Sequence, residues 1–153
     1  GLLLELKTVE HYFNLGYTIL QSGRELFDAK GKYVTELDVV VRSPEGKTLL
    51  VEAKSARVPL PFDEVLKDKV KRKLETYQNH RAELEAMIGA PIDGVVFATD
   101  IGSNVGLDVF LMGQRKELQR LYRFPVNFLF LASSPMMQDE SGAPVNGGNR
   151  RRR

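Results

Sequence analysis

Four charged residues stand where strand side chains normally bury. Glu36 and Asp38 interrupt Leu37, Val39 and Val41 in one β-rich run, and Glu52 and Lys54 interrupt Leu49, Val51 and Ala53 in the next. Successive strand side chains point to opposite faces, so each run carries its charges on one face and its aliphatics on the other. The two runs, Tyr33 to Arg42 and Thr48 to Lys54, are joined by Ser43-Pro-Glu-Gly-Lys47, whose Pro and Gly are turn residues for steric reasons. A hairpin closing on Arg42 and Thr48 sets Asp38 opposite Glu52 and Glu36 opposite Lys54, with opposed Cβ atoms about 4.5–5.5 Å apart. Two carboxylates at that spacing repel. A divalent cation relieves the repulsion, and hard ions such as Mg²⁺ prefer carboxylate, carbonyl and water oxygens. The competing explanation is a cross-strand ion-pair cluster on a solvated sheet face, which antiparallel sheets commonly present.

The elements that must position these charges follow from hydrophobic spacing. Leu3 to Leu15 reads as a helix stopped at Gly16, Tyr17 to Leu20 as a short strand, and the polar stretch Gln21 to Lys32 as a loop. Leu66, Val70, Leu74, Tyr77, Leu84 and Ile88 form one stripe along a single long helix from Asp63 to Ile88, with Pro59 and Pro61 before it and Gly89 and Pro91 after it. Gly94 to Thr99 and Val126 to Ala132 read as buried strands, with a helix over Leu107 to Arg123 between them. The order αβββαβαβ predicts an α/β domain, with a central mixed sheet flanked by helices, over residues 1–133. Residues 134–153 are rich in Ser, Gly, Pro and Asn and end in Arg150 to Arg153, with nothing to bury, and are expected to be a flexible tail.

Composition bounds the rest. A chain of 153 residues fits one domain, and 42% hydrophobic with 27% charged residues is ordinary for a globular protein rather than a disordered or membrane one. No apolar run approaches the roughly 20 residues that span a bilayer. Gly1-Leu-Leu-Leu4 is too short and too soon charged for a signal peptide, so a cytoplasmic location away from membranes is expected. The absence of cysteine rules out disulfides, thiolate metal sites and cysteine nucleophiles. A net charge of +2 does not by itself mark a nucleic-acid binder.

Glu36-Leu-Asp38 followed by Val51-Glu52-Ala-Lys54-Ser55 resembles the Asp…Glu-x-Lys signature of the PD-(D/E)XK nuclease superfamily, and the predicted hairpin, after one helix and before a long one, is its expected setting. The resemblance covers roughly residues 1 to 100 and is nearest in look to small bacterial members and archaeal Holliday-junction resolvases. It implies a restriction-endonuclease-like αβββαβ core, extended here by a further helix and strand. Asp38, Glu52 and the Ala53 backbone carbonyl would hold Mg²⁺, with Mn²⁺ as substitute, to polarise a scissile phosphate and activate water, while Lys54 orients or deprotonates that water. Glu5 is similar in placement to the helix acid of some members, with Glu10 as rival, and Gln78 to a helix glutamine or lysine that several branches aim at the active site.

The function this implies is a metal-dependent endonuclease acting on nucleic acid, DNA before RNA. A homodimer is compatible with cutting both strands, and fused or partner domains outside the chain are compatible with its start at Gly rather than Met. A noncatalytic nucleic-acid-binding or assembly module on the same fold is the alternative. Lys67, Lys71 and Arg72, in the basic start of the long helix, are the expected phosphate contacts; a solvated face offset by Asp63, Glu64, Asp68 and Glu75 is the plainer explanation. His11 and His80 are too isolated for a metal site or triad. Gly102-Ser-Asn-Val-Gly-Leu-Asp108 lacks the Gly-Lys-Ser/Thr ending of a phosphate loop, which excludes nucleotide hydrolysis of that kind.

Overall fold

The structure is a computed structural model and describes residues 2–54, 62–100 and 105–131, with the side chains of residues 62–67 and 105–110 outside that description. Five strands form one sheet in the order β1-β2-β3-β4-β5: β1 (Thr18–Phe27), β2 (Tyr33–Arg42), β3 (Thr48–Ala53), β4 (Gly94–Thr99) and β5 (Val126–Phe130). The first three are antiparallel neighbours, and β3, β4 and β5 run parallel. Helix α1 (Leu2–Asn14) precedes the sheet, α2 (Phe62–Asn79) and α3 (Arg81–Ile88) connect β3 to β4, and α4 (Val105–Tyr122) connects β4 to β5. Among the described residues no helix is long and apolar enough to cross a membrane. The tail expected at 134–153 lies outside the described residues.

Two cores sandwich the sheet. Val70, Leu74 and Tyr77 of α2, Leu84 of α3 and Leu118 of α4 pack with Val40, Leu50, Val95 and Phe97 on one face, and Tyr12 of α1 packs with Val39, Val41, Val51, Val96 and Ala98 on the other. Parallel strands joined in the same direction by right-handed crossovers place their helices on one face, which accounts for α2, α3 and α4 sharing a side. Covered on both faces, β4 is buried at every position, as expected of a parallel strand. Each fully buried Val or Leu contributes about 1.5–3 kcal/mol.

The hairpin has the register predicted from its turn: Val39 pairs with Val51, Val40 with Leu50, Val41 with Leu49 and Arg42 with Thr48. Gly46 takes φ 90°, a conformation that costs other residues energy. The Ser43 Oγ accepts the Lys47 N–H at 3.0 Å and closes the loop.

Two elements differ from expectation. Strand β1 extends to Phe27 through Gln21-Ser-Gly-Arg-Glu, which reads as loop because it is polar. It is an edge strand with only Leu26 buried, and edge strands are commonly blunted by charge and irregularity; its register shifts between Ile19 and Gln21, and Gly23 has φ 66°. The single long helix is two helices. His80 leaves the helical region at φ −117°, ψ 24°, and Arg81 is anchored across the chain by donating to the Ile92 and Arg123 carbonyls at 2.9 and 3.2 Å. Glu85 accepts the Ile92 N–H at 2.7 Å. These contacts redirect α3 without any Pro or Gly at the break. At its far end, Gly89 with φ 83° caps α3 as expected.

Candidate active site

The charged residues of β2 and β3 collect at the end of the hairpin where the regular pairing stops. Paired positions run only to Val39 and Val51. The next antiparallel step would give the Ala53 N–H a backbone carbonyl of β2. Instead the Asp38 carboxylate takes that place, with Oδ2 accepting from Ala53 N at 3.0 Å. Strict alternation also lapses here, since Leu37 belongs to the α2-side core together with Val40 rather than with Val39 and Val41. Asp38 therefore meets β3 through the strand end, not as the directly opposed partner of Glu52. The expected opposition of Glu36 and Lys54 is likewise absent from the paired register, and the Lys54 N–H continues the ladder to β4 by donating to the Ala98 carbonyl at 2.8 Å.

Glu52 is the centre of the cluster and is 2% exposed. Its Oε2 faces the Lys54 ammonium at 3.1 Å, and its Oε1 faces Lys73 Nζ at 3.6 Å and accepts the Tyr77 hydroxyl at 3.1 Å. Lys73 also donates to the Glu36 carbonyl at 3.2 Å. Burial, and next the charge of Asp38, push the Glu52 carboxyl above its usual range; Lys73 and Lys54 oppose this without cancelling it. The carboxylate sits in a place from which water is largely removed, where ionised groups are costly unless compensated. The Tyr77 phenol, buried beside the same carboxylates, is pushed well above its usual range and stays a donor.

Glu5 joins this field from α1. Its carboxyl is raised by burial first, then by Asp38 and Glu36. Its rival Glu10 is exposed. Gln78 does not reach the cluster: it is exposed, and Tyr77, one position round the helix and on the buried stripe, is the α2 residue that touches Glu52. Tyr77 and Lys73, which touch Glu52, were not among the expected site residues. Their signal was a tyrosine on an apolar stripe, whose hydroxyl needs a buried partner, with a lysine one turn before it.

Carboxylate oxygens are the donor type a hard cation takes. Among the described residues no group of three or more Asp, Glu, His or Cys stands ready to hold a metal ion. Asp38 and Glu52 remain as two carboxylates, and Mg²⁺ is commonly bound by one or two carboxylates completed by waters and substrate phosphate rather than by an all-protein cage.

Beside the cluster, Tyr33, Thr35, Lys54, Lys69, Arg72 and Lys73 line a cleft of about 330 Å³ between the start of β2 and α2. Of the three expected phosphate contacts, Arg72 lines this cleft, Lys71 is not among its described lining residues, and the Lys67 side chain lies outside the described residues. Compared with protein-family models, with curated proteins and with solved structures, the chain matches none.

Proposed function

We propose that the chain is a metal-dependent nuclease of PD-(D/E)XK type, with a restriction-endonuclease-like core, that hydrolyses phosphodiester bonds in nucleic acid, DNA before RNA. The observation that carries this reading is the buried Glu52 carboxylate held between Lys54 and Lys73 at the hairpin end, within the field of Asp38. Asp38, Glu52 and the Ala53 carbonyl would hold Mg²⁺ or Mn²⁺, with Glu5 bordering the site. A bound divalent ion would supply Lewis-acid polarisation of the phosphate and a water acidic enough to ionise near neutral pH.

The chain's own residues have separable tasks. Lys54, 39% exposed, presents its ammonium toward solvent, where the charge that develops on a phosphate is stabilised. Lys73 and Tyr77 hold the Glu52 carboxylate in one orientation from behind. A second reading, a noncatalytic binding module, is favoured by one observation: two lysines and a tyrosine already engage Glu52 as a closed ion-pair cluster.

The two readings part on a panel of single-stranded, duplex and branched DNA and RNA oligonucleotides incubated with Mg²⁺, Mn²⁺ or chelator. The nuclease predicts cleavage of at least one substrate with either ion and none with chelator. Binding of the panel without cleavage under any ion condition establishes the noncatalytic module.

A further inference from the structure

The basic cleft is built for more than a point charge. Its described lining carries four cations and no acid. The inner pair, Lys54 and Lys73, is committed to Glu52. The outer pair, Lys69 and Arg72, is exposed and has no acidic partner among the described residues. Lys69 and Arg72 are placed to take one phosphate, while Lys54, although paired with Glu52, is still 39% exposed at the same cleft. At the cleft's edge stands Tyr33, 51% exposed, its ring braced edge-on by the equally exposed Phe27 at 6.1 Å between centroids. Exposed aromatics beside a cationic groove form the stacking platform by which proteins hold single strands, because an unpaired base has a free face and a paired one does not. The volume, about 330 Å³ and at the lower end for ligand pockets, is on the scale of a nucleotide unit.

We propose that this cleft seats an unpaired nucleic-acid strand, with one phosphate at Lys69 and Arg72 and a base stacked on Tyr33, and so presents the neighbouring phosphodiester to Lys54. The proposal rests on the nuclease reading for its last clause only. Strand selection then comes from Tyr33: an overhang, flap or junction arm enters the cleft, and continuous duplex is excluded until it frays.

Fluorescence anisotropy in chelator, with a labelled oligothymidylate and a duplex of equal length, tests the seating apart from cleavage. The single strand binds more tightly than the duplex. Tyr33→Ala weakens single-strand binding about tenfold and leaves duplex binding unchanged, and Tyr33→Phe retains the wild-type affinity. Removing two cations in Lys69→Ala/Arg72→Ala lowers the slope of log affinity against log salt by about 1.4 for the single strand. Equal or tighter duplex binding, or a Tyr33→Ala protein that binds the single strand like wild type, overturns the proposal. Mg²⁺-dependent cleavage of the same oligonucleotide, measured in parallel, separates the two ideas. Seating without cleavage leaves the cleft assignment standing and removes the hydrolytic one. Cleavage indifferent to Tyr33, Lys69 and Arg72 does the reverse.

Discussion

Lys54→Ala is expected to lower Mg²⁺-dependent cleavage about a thousandfold while the protein still folds. The ammonium is the positive group of the cluster that faces both Glu52 and solvent, 3.1 Å from Oε2, and loss of one such preorganised group typically costs about 10²–10³ in rate. Lys54→Arg is not expected to restore it, because the planar guanidinium places its charge differently. The fold survives because Lys54 leaves no hole in either core and because Lys73 and Tyr77 still engage Oε1. With more than a third of the side chain exposed, the lost ion pair is discounted to about 1 kcal/mol, or roughly 2–4 °C in Tm for a chain of this size. Parallel thermal melts and cleavage assays check both halves; an equally active variant removes Lys54 from the chemistry.

Glu52→Gln is expected to abolish cleavage and yet raise thermal stability at neutral pH in metal-free buffer. The amide keeps an oxygen for the Tyr77 hydroxyl and discards a charge that burial and Asp38 oppose. The folded protein holds the Glu52 proton more tightly than the unfolded chain, whose value is near 4.5. Stability from this group is therefore fully present below about pH 4.5 and is lost as pH rises through the higher folded value. The variant escapes that loss, so its Tm should exceed wild type at pH 7. The difference should shrink toward nothing as pH falls to 4.5. As a proposed direct ligand, Glu52 is expected to cost activity on removal beyond the roughly 10–100-fold typical of groups around a metal. A variant less stable than wild type at pH 7, with the gap widening as pH rises, would mean that the lysines outweigh the burial cost.

What the sequence discloses here depends on whether neighbours or distant contacts decide each feature. Alternation and turn chemistry act within a few residues, so the β2–β3 hairpin and its register were legible, as were the Gly16 and Gly89 helix ends. Strand β1 was obscured because half its length is polar edge that only pairing with β2 makes extended. The break at His80 is imposed by Arg81 reaching the Ile92 and Arg123 carbonyls, contacts that helical periodicity does not encode. At the site, the acids and Lys54 stood out as charges at burying positions. Gln78 lies exposed one helical position, about 100° of arc, from Tyr77, which touches Glu52 because the apolar stripe sets which side chain faces the sheet.

The central claim is that Asp38 and Glu52 share one divalent ion. Thermal shift of the chelator-treated protein against increasing Mg²⁺ or Mn²⁺ tests it most directly, because an ion held only by the folded state at a hundred times its Kd adds about 2.7 kcal/mol. The account predicts a saturable rise in Tm that disappears in Asp38→Ala and in Asp38→Asn, the latter retaining an acceptor for the Ala53 N–H. A wild-type protein indifferent to both ions, or an Asp38 variant that responds as wild type does, would contradict it.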